Sequence, residues 1–128
     1  MPAPRLRVLL IEDDRPLAQM LCEAIEADGH EVRLAYDAPS AIAACDAFKP
    51  TTVLIDIGLP GIDGYSLAEQ LRARACAEAV RVAAVTGYPV PTYSRKSRVA
   101  GFDRHIPKPV DLAELRLLLS AWADELET

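Results

Sequence analysis

The chain has 128 residues, of which 51% are hydrophobic, so it is long enough to bury the core of one domain without disulfides or metals. Its formal net charge of -5 argues against direct nucleic-acid binding, because phosphate contacts need a basic surface. No apolar run approaches the ~20 residues of a membrane span, and the cysteines are widely separated, with no CxxC pair. We therefore expect a cytoplasmic, single-domain protein that contacts neither nucleic acid nor membrane and keeps its cysteines reduced.

The first predicted strand ends in carboxylates. Residues 6–11 form a nearly continuous apolar run, which is typical of a strand buried on both faces, and the acidic triplet of residues 12–14 follows at once. Pro16 suits a first helical turn, and apolar residues then recur at helical spacing until Gly29. This pattern predicts the first helix. Taken alone, the triplet would cap that helix and complement its dipole, with Asp14 as the residue at the helix start.

The next two predicted elements are an edge strand and an alanine-rich helix. Residues 31–35 alternate polar and apolar side chains, as expected for a strand with one solvated side. Asp37 and Pro39 then open a helix that ends before Pro50. A strand at one rim of the sheet is therefore expected between two helices.

The central strand carries the main candidate functional residue. Residues 53–55 are three consecutive branched apolar residues that stop at Asp56, and a loop rich in proline and glycine follows. A carboxylate in this position lies at the carboxyl edge of the sheet, where open α/β folds place their ligands. Asp63 is expected to cap the helix that comes next.

The second half of the chain predicts two more strands. Residues 82–85 form a short apolar strand that ends at Thr86. Residues 102–106 form a polar-rich second edge strand that runs into Lys108. Prolines and a scarcity of apolar residues between 89 and 101 predict a short or mobile helix between these strands.

The last helix completes an alternating pattern. Asp111 and Glu114 have capping-box spacing, and one apolar stripe follows them. Five strands alternating with five helices predict an α/β fold, a single doubly wound five-stranded parallel sheet in the flavodoxin-like order 2-1-3-4-5. We expect one domain over residues 1–128, with its core at about 5–126 and no output domain.

The predicted strand ends bring one set of polar residues to the same edge of the sheet. These residues are Glu12, Asp13, Asp56, Thr86 and Lys108. Together with the Leu-Pro-Gly loop at 59–61, Asp63-Gly64, Thr86-Gly87 and Lys108-Pro109, they make the sequence strongly resemble the receiver domain of two-component response regulators, the CheY-like family. The resemblance covers essentially the whole chain.

The residue types themselves suit phosphoryl transfer to a carboxylate. Such a transfer brings two anions together, so the site needs positive charge to neutralise the phosphoryl oxygens. Asp13 and Asp56, helped by Glu12, supply hard oxygen ligands of the kind that Mg²⁺ prefers. Lys108 supplies a mobile point charge, and Thr86 supplies a hydroxyl donor.

The resemblance assigns a role to each of these residues. It implies that Asp56 is the nucleophile that becomes an aspartyl phosphate and that the backbone carbonyl of Gly58 is a further metal ligand. It also implies that Thr86 moves on activation and that the bond between Lys108 and Pro109 is cis. The domain would catalyse its own phosphorylation and dephosphorylation and act on no outside substrate.

The resemblance also implies partners. A histidine kinase or a histidine phosphotransfer protein would donate the phosphoryl group, and a downstream protein target would bind the switched face. The chain could be a free single-domain regulator or a receiver of a hybrid kinase.

Three positions depart from the family pattern or tune it. His105 occupies a position where the family commonly has Tyr or Phe, an aromatic residue that turns inward on activation. Gly58 and Tyr88 occupy the two positions that tune phosphoryl lifetime in the family. Gly58 has no side chain to position a water molecule, and Tyr88 could shield the site. We therefore expect slow self-dephosphorylation and a modified switch.

Other functions fit parts of the sequence. A haloacid-dehalogenase-like phosphatase also uses an aspartate at a strand end, but it needs a second Asp where Gly58 lies. A flavodoxin-like electron carrier shares the fold, although the triplet at 12–14 would repel the phosphate of its cofactor. A pseudo-receiver that only binds partner proteins stays open, and phosphodonor labelling would distinguish it.

Overall fold

The computed structural model describes residues 6–59, 61, 63–75, 80–87 and 101–127. Its elements are β1 (Arg7–Ile11), α1 (Arg15–Ala27), β2 (Glu31–Ala35), α2 (Ala38–Phe48), β3 (Thr52–Asp56), α3 (Gly64–Ala75), β4 (Arg81–Thr86), β5 (Arg104–Pro107) and α4 (Leu112–Glu127). The helix predicted between 89 and 101 lies outside the described residues, as does Tyr88. No helix in the described part of the chain has the length and apolar character needed to cross a membrane.

The five strands form one parallel sheet in the order β2-β1-β3-β4-β5, which confirms the predicted topology. Ile11 pairs with Ile55 between β1 and β3, and Asp56 pairs with Val85 between β3 and β4. This register aligns the carboxyl ends of the three inner strands. The residues that follow those ends therefore share one edge of the sheet.

Side chains alternate between two apolar layers on the faces of the sheet. Leu9 and Ile55 belong to the layer covered by α2 and α3, whereas Leu10 and Leu54 belong to the layer covered by α1 and α4. The inner strands β1 and β3 are buried on both faces, as their apolar runs predict. The two rim strands, β2 and β5, are partly exposed, as predicted for edge strands.

Aspartates begin the first two helices as the sequence predicts. The side chain of Asp14 accepts a hydrogen bond from the Leu17 amide at 3.1 Å, and that of Asp37 accepts one from the Ser40 amide at 2.8 Å. Each bond satisfies an amide that has no partner within its helix. Gly29, with a φ of 89°, follows α1 in the left-handed region that glycine tolerates.

The last strand is displaced toward the carboxyl end relative to the prediction. It covers Arg104–Pro107, whereas the sequence pattern indicated residues 102–106. Phe102 lies before the strand and places its ring in the apolar layer against Tyr65. Asp103 turns its carboxylate back to accept a hydrogen bond from the Val82 amide at 2.8 Å. The chain therefore enters the sheet ladder two residues later.

Candidate functional site

Three carboxylates meet at the carboxyl edge of the sheet. One oxygen each of Glu12, Asp13 and Asp56 lies within 4.8 Å of the other two. Asp13 is exposed, whereas Glu12 and Asp56 are buried. The site thus combines one carboxylate open to solvent with two that are shielded from it.

The backbone of the sheet fixes the two buried carboxylates. The Glu12 amide donates to the Ala35 carbonyl at 3.0 Å and so extends the pairing of β1 with β2 by one residue. The Ile57 amide donates to the Val85 carbonyl at 3.2 Å and extends the pairing of β3 with β4 in the same way. Glu12 and Asp56 are therefore held by strand geometry rather than by a free loop.

Lys108 reaches the same cluster from the end of β5. Its Nζ lies 2.8 Å from Glu12 Oε1 and 3.4 Å from Asp56 Oδ2. Its backbone amide donates to the Thr86 carbonyl at 2.8 Å, which ties the residue after β5 to the last residue of β4. The peptide bond from Lys108 to Pro109 is cis, as expected.

One proton is shared unequally between the two buried carboxyl groups. Burial and the hydrogen bond to Asp56 raise the pKa of Glu12 to about 7. Burial also acts to raise the pKa of Asp56, but hydrogen bonds from Glu12 and the Gly58 amide, with the charge of Lys108, lower it below its usual value. At neutral pH in the absence of metal, Asp56 is therefore the ionised partner.

Lys108 stays charged in this setting. Partial burial acts to lower its pKa, but the contacts with Glu12 and Asp56 outweigh that effect and raise it. A positive charge thus lies beside the ionised carboxylate of Asp56.

The loop after Asp56 folds back onto its carboxylate. The Gly58 amide donates to Asp56 Oδ1 at 2.9 Å. A Cβ atom added at Gly58 would lie 3.5 Å from that oxygen, which is an ordinary contact, so the position has room for a side chain beside the carboxylate. The loop ends where Asp63 accepts a hydrogen bond from the Tyr65 amide at 3.0 Å, so Asp63 caps α3 as predicted.

The two predicted switch residues lie on neighbouring strands. Thr86 is the buried last residue of β4, and it pairs with Pro107 of β5. His105 is half-buried, pairs with Ala84 and has its ring 5.6 Å from that of Phe102. The cluster itself therefore unites the three carboxylates with Lys108 and Gly58, and His105 lies farther back along β5.

Sequence reasoning missed the aromatic contacts around Phe102. The Phe102 ring packs against Tyr65 at a centroid distance of 5.3 Å as well as against His105. Tyr65 and Phe102 differ by 37 positions along the chain, and an apolar pattern indicates burial without naming a partner. No local signal could have found this contact.

The donor set fits a hard divalent cation. Carboxylate oxygens are the ligands that Mg²⁺ prefers, and the exposed Asp13 leaves a solvent side from which such an ion can keep several waters. Burial and the neighbouring Asp56 raise the pKa of Glu12, so it retains a proton near neutral pH, and a bound cation would favour its ionised form. The cluster is thus a candidate metal centre.

A doubly wound parallel sheet with carboxylates and a lysine converging at its carboxyl edge defines the receiver class of signalling domain. Residues 8–120 match the family model of the response regulator receiver domain. This match spans most of the chain, so the chain belongs to the response regulator receiver family.

Named relatives agree with this assignment. The chain is 31% identical over 120 residues to the transcriptional regulatory protein TcrA of Mycobacterium tuberculosis, covering 91% of this chain and 45% of TcrA. It is 29% identical over 120 residues to the response regulator MprA of Mycobacterium avium, covering 86% and 47%. The chain thus spans about half the length of the curated relatives it matches.

Solved structures share the fold. A CheY-like response regulator receiver domain protein from Methanospirillum hungatei JF-1 superimposes with a TM-score of 0.85 at 29% identity, covering 96% of this chain and 97% of that one. A two-component response regulator from Clostridium difficile has a TM-score of 0.87 at 22% identity, covering 97% and 100%, and supports the fold alone.

Proposed function

We propose that this chain is a phosphoacceptor receiver domain in which Asp56 accepts a phosphoryl group and the change is passed to a protein-binding face. The main support is the convergence on Asp56 of two further carboxylates within 4.8 Å and of Lys108 Nζ at 3.4 Å. Asp56 is also the buried carboxylate that stays ionised, as a nucleophile must. Each requirement for phosphoryl transfer to a carboxylate is then met by a residue at this edge.

Asp56 acts as the nucleophile. One of its oxygens attacks the phosphorus of a phosphohistidine, the new O–P bond forms as the P–N bond breaks, and the imidazole leaves with that electron pair and takes up a proton. The Gly58 amide donates a hydrogen bond to Asp56 Oδ1 and so fixes the orientation of the carboxylate. This bond reduces the freedom of the nucleophile before the donor arrives.

The remaining residues neutralise and orient the transferred group. Glu12, Asp13 and Asp56, with the Gly58 carbonyl, would hold Mg²⁺, which when bound supplies positive charge to the phosphoryl oxygens. Lys108 turns its ammonium from the carboxylates to a phosphoryl oxygen, and Thr86 donates its hydroxyl to another. Thr86 ends β4, the strand next to that of Asp56, whereas Lys108 follows β5, one strand farther away, and reaches Asp56 through its long side chain.

Loss of the phosphoryl group should be slow. Hydrolysis needs a water molecule aligned behind the phosphorus, and a side chain two positions beyond Asp56 would be well placed to hold it. Gly58 offers no such group, although the backbone leaves room for one. The phosphorylated state therefore persists longer than it would with a polar residue at position 58.

The partners follow from the chemistry. A histidine kinase or a histidine phosphotransfer protein donates the phosphoryl group in the cytoplasm, and a downstream protein recognises the changed face. The unit that does this is the receiver domain over residues 1–128, which acts on no outside substrate beyond its own phosphorylation and dephosphorylation. It works as a free regulator or as one domain of a larger protein.

Phosphodonor labelling tests this function. The wild-type protein should gain one phosphoryl group with Mg²⁺ and a small phosphodonor, as measured on the intact protein by mass spectrometry. Asp56→Asn should gain none, while the matched control Asp46→Asn, at an exposed carboxylate paired with Arg74, should behave as wild type. Folded wild-type protein that takes up no phosphoryl group would instead be a pseudo-receiver.

A further inference from the structure

Three rings form a continuous aromatic stack beside the candidate site. Tyr65 at the start of α3 packs on Phe102 with 5.3 Å between ring centroids and 69° between planes. Phe102 packs on His105 of β5 with 5.6 Å and 67°. Both pairs have the edge-to-face geometry that aromatic rings prefer. We call Tyr65, Phe102 and His105 the aromatic stack.

One end of the aromatic stack is anchored to the loop that follows Asp56. Gly64 lies so close to that loop that a Cβ atom there would be 2.6 Å from Ile57 Cα. The start of α3 is thus in direct backbone contact with the residue after Asp56. Tyr65 follows Gly64, and its amide is bonded to Asp63. Displacement of Ile57 must therefore displace the backbone that carries the Tyr65 ring.

The other end of the aromatic stack lies on the same face of the sheet as the hydroxyl proposed to move. His105 pairs with Ala84, and Ala84 faces the apolar layer that contains Tyr65 and Phe102. Thr86, two residues farther along β4, faces the same side because side chains alternate along a strand. Two contact routes thus lead from the neighbourhood of Asp56 to His105, one along β4 and one through the rings.

We infer that Tyr65 and Phe102 are positioning residues that couple the Asp56 loop to His105, independently of Thr86. This inference rests on the proposed phosphorylation of Asp56. A packed core transmits a small shift because its rings cannot compress, so contraction of the loop around a phosphoryl group moves the three rings together. Linkage then requires that a change in the packing of the rings also changes the affinity of Asp56 for the phosphoryl group or its mimic.

Proton NMR of the two histidines measures the coupling directly. His105 reports on the aromatic stack, whereas His30 serves as an internal reference, because its Nδ1 accepts from the Leu6 amide at the opposite edge of the sheet. Beryllofluoride with Mg²⁺ is the probe, since it mimics the phosphoryl group. In wild type the His105 ring signal should shift on addition of the probe and the His30 signal should not.

Variants separate the ring contact from its alternatives. Tyr65→Leu removes the ring while keeping an apolar side chain, and it should reduce the His105 shift about twofold or more at saturating probe and change the probe concentration needed for half saturation. Tyr65→Phe keeps the ring and should retain the wild-type shift. Phe102→Leu tests the same contact from its other partner and should match Tyr65→Leu. Thr86→Ala should leave a residual shift.

Each outcome decides the inference. A full shift in Tyr65→Leu or in Phe102→Leu overturns the coupling while leaving phosphorylation of Asp56 intact. Equal loss in Tyr65→Phe and Tyr65→Leu also overturns it, because the ring would then be irrelevant. Asp56→Asn should abolish the shift, and failure of wild type to bind beryllofluoride would refute the proposed function and the coupling together. Retention in Tyr65→Phe with loss in both leucine variants establishes it.

Discussion

Removing the charge of Glu12 should stabilise the metal-free protein at alkaline pH. In Glu12→Gln the amide oxygen can still accept from Lys108 and the amide nitrogen can donate to Asp56, so the contacts of the protonated carboxyl group are retained. The substitution removes the need to ionise a buried acid. The change therefore isolates the free energy of that ionisation.

The magnitude follows from the raised pKa of Glu12. That pKa is about 7 in the folded protein against 4.5 for the free side chain. A group whose pKa is raised by folding stabilises the protein below the unfolded value, and this contribution is lost as the pH rises through the folded value. The difference corresponds to about 3 kcal/mol at most by pH 8. Glu12 and Asp56 are in contact, so a change at Glu12 also changes the ionisation of Asp56. We therefore expect Glu12→Gln to raise the free energy of unfolding by about 1–3 kcal/mol at pH 8.

Urea unfolding in the presence of a chelator measures this gain. Trp122 is buried among apolar residues of the layer beneath α4, so its fluorescence reports global unfolding. Glu69→Gln, at an exposed position on α3, is the matched control and should change stability by less than about 0.5 kcal/mol. A gain of equal size at pH 5 and pH 8, or none at pH 8, would show that ionisation of Glu12 carries no such cost.

Three other substitutions have defined outcomes. Gly64→Ala should lower the free energy of unfolding by about 1–3 kcal/mol in the same urea assay, because its Cβ would lie 2.6 Å from Ile57 Cα; unchanged stability would show that the loop can yield. Thr52→Val should raise the free energy of unfolding by about 1 kcal/mol, because the fully buried Thr52 hydroxyl has no hydrogen-bond partner among the described residues. A lower free energy of unfolding in this variant would show that the hydroxyl has a partner. Burial lowers the pKa of His30, so the wild-type protein should lose stability as the pH falls from 6.5 through that lowered value. His30→Asn keeps an acceptor for the Leu6 amide but cannot take up this proton, so its stability should not fall over the same pH range. An equal loss of stability in both proteins would contradict the lowered pKa of His30.

Local rules account for what the sequence predicted well. Continuous apolar runs gave β1 and β3, and aspartates placed before helical patterns gave the caps at Asp14 and Asp37. The sheet order followed from which strands were polar enough to lie at a rim. In each case the deciding interaction lies within a few residues or depends on burial alone.

Contacts between distant segments were not accessible in this way. The start of β5 was misplaced because Phe102 leaves the ladder to pack on Tyr65 of α3, and a strand pattern contains no record of that partner. Convergence of strand ends predicted that Lys108 lies near Asp56, but its closer approach to Glu12 depends on side-chain rotamers. The unequal sharing of a proton between Glu12 and Asp56 depends on burial that composition does not reveal.

The hydrogen bond from the Lys108 amide to the Thr86 carbonyl joins the backbones of two residues that lie 22 positions apart in the sequence. Thr86 is held in place by the pairing of β4 with β3, so this bond fixes the backbone of Lys108 against the inner strands. A substitution that shifts β5 would break the bond or strain it and would displace the ammonium of Lys108 relative to Asp56. Sequence changes in β5, away from the carboxylates, can therefore alter the position of the Lys108 ammonium, and with it the proposed phosphoryl chemistry at Asp56, without changing any residue of the carboxylate cluster.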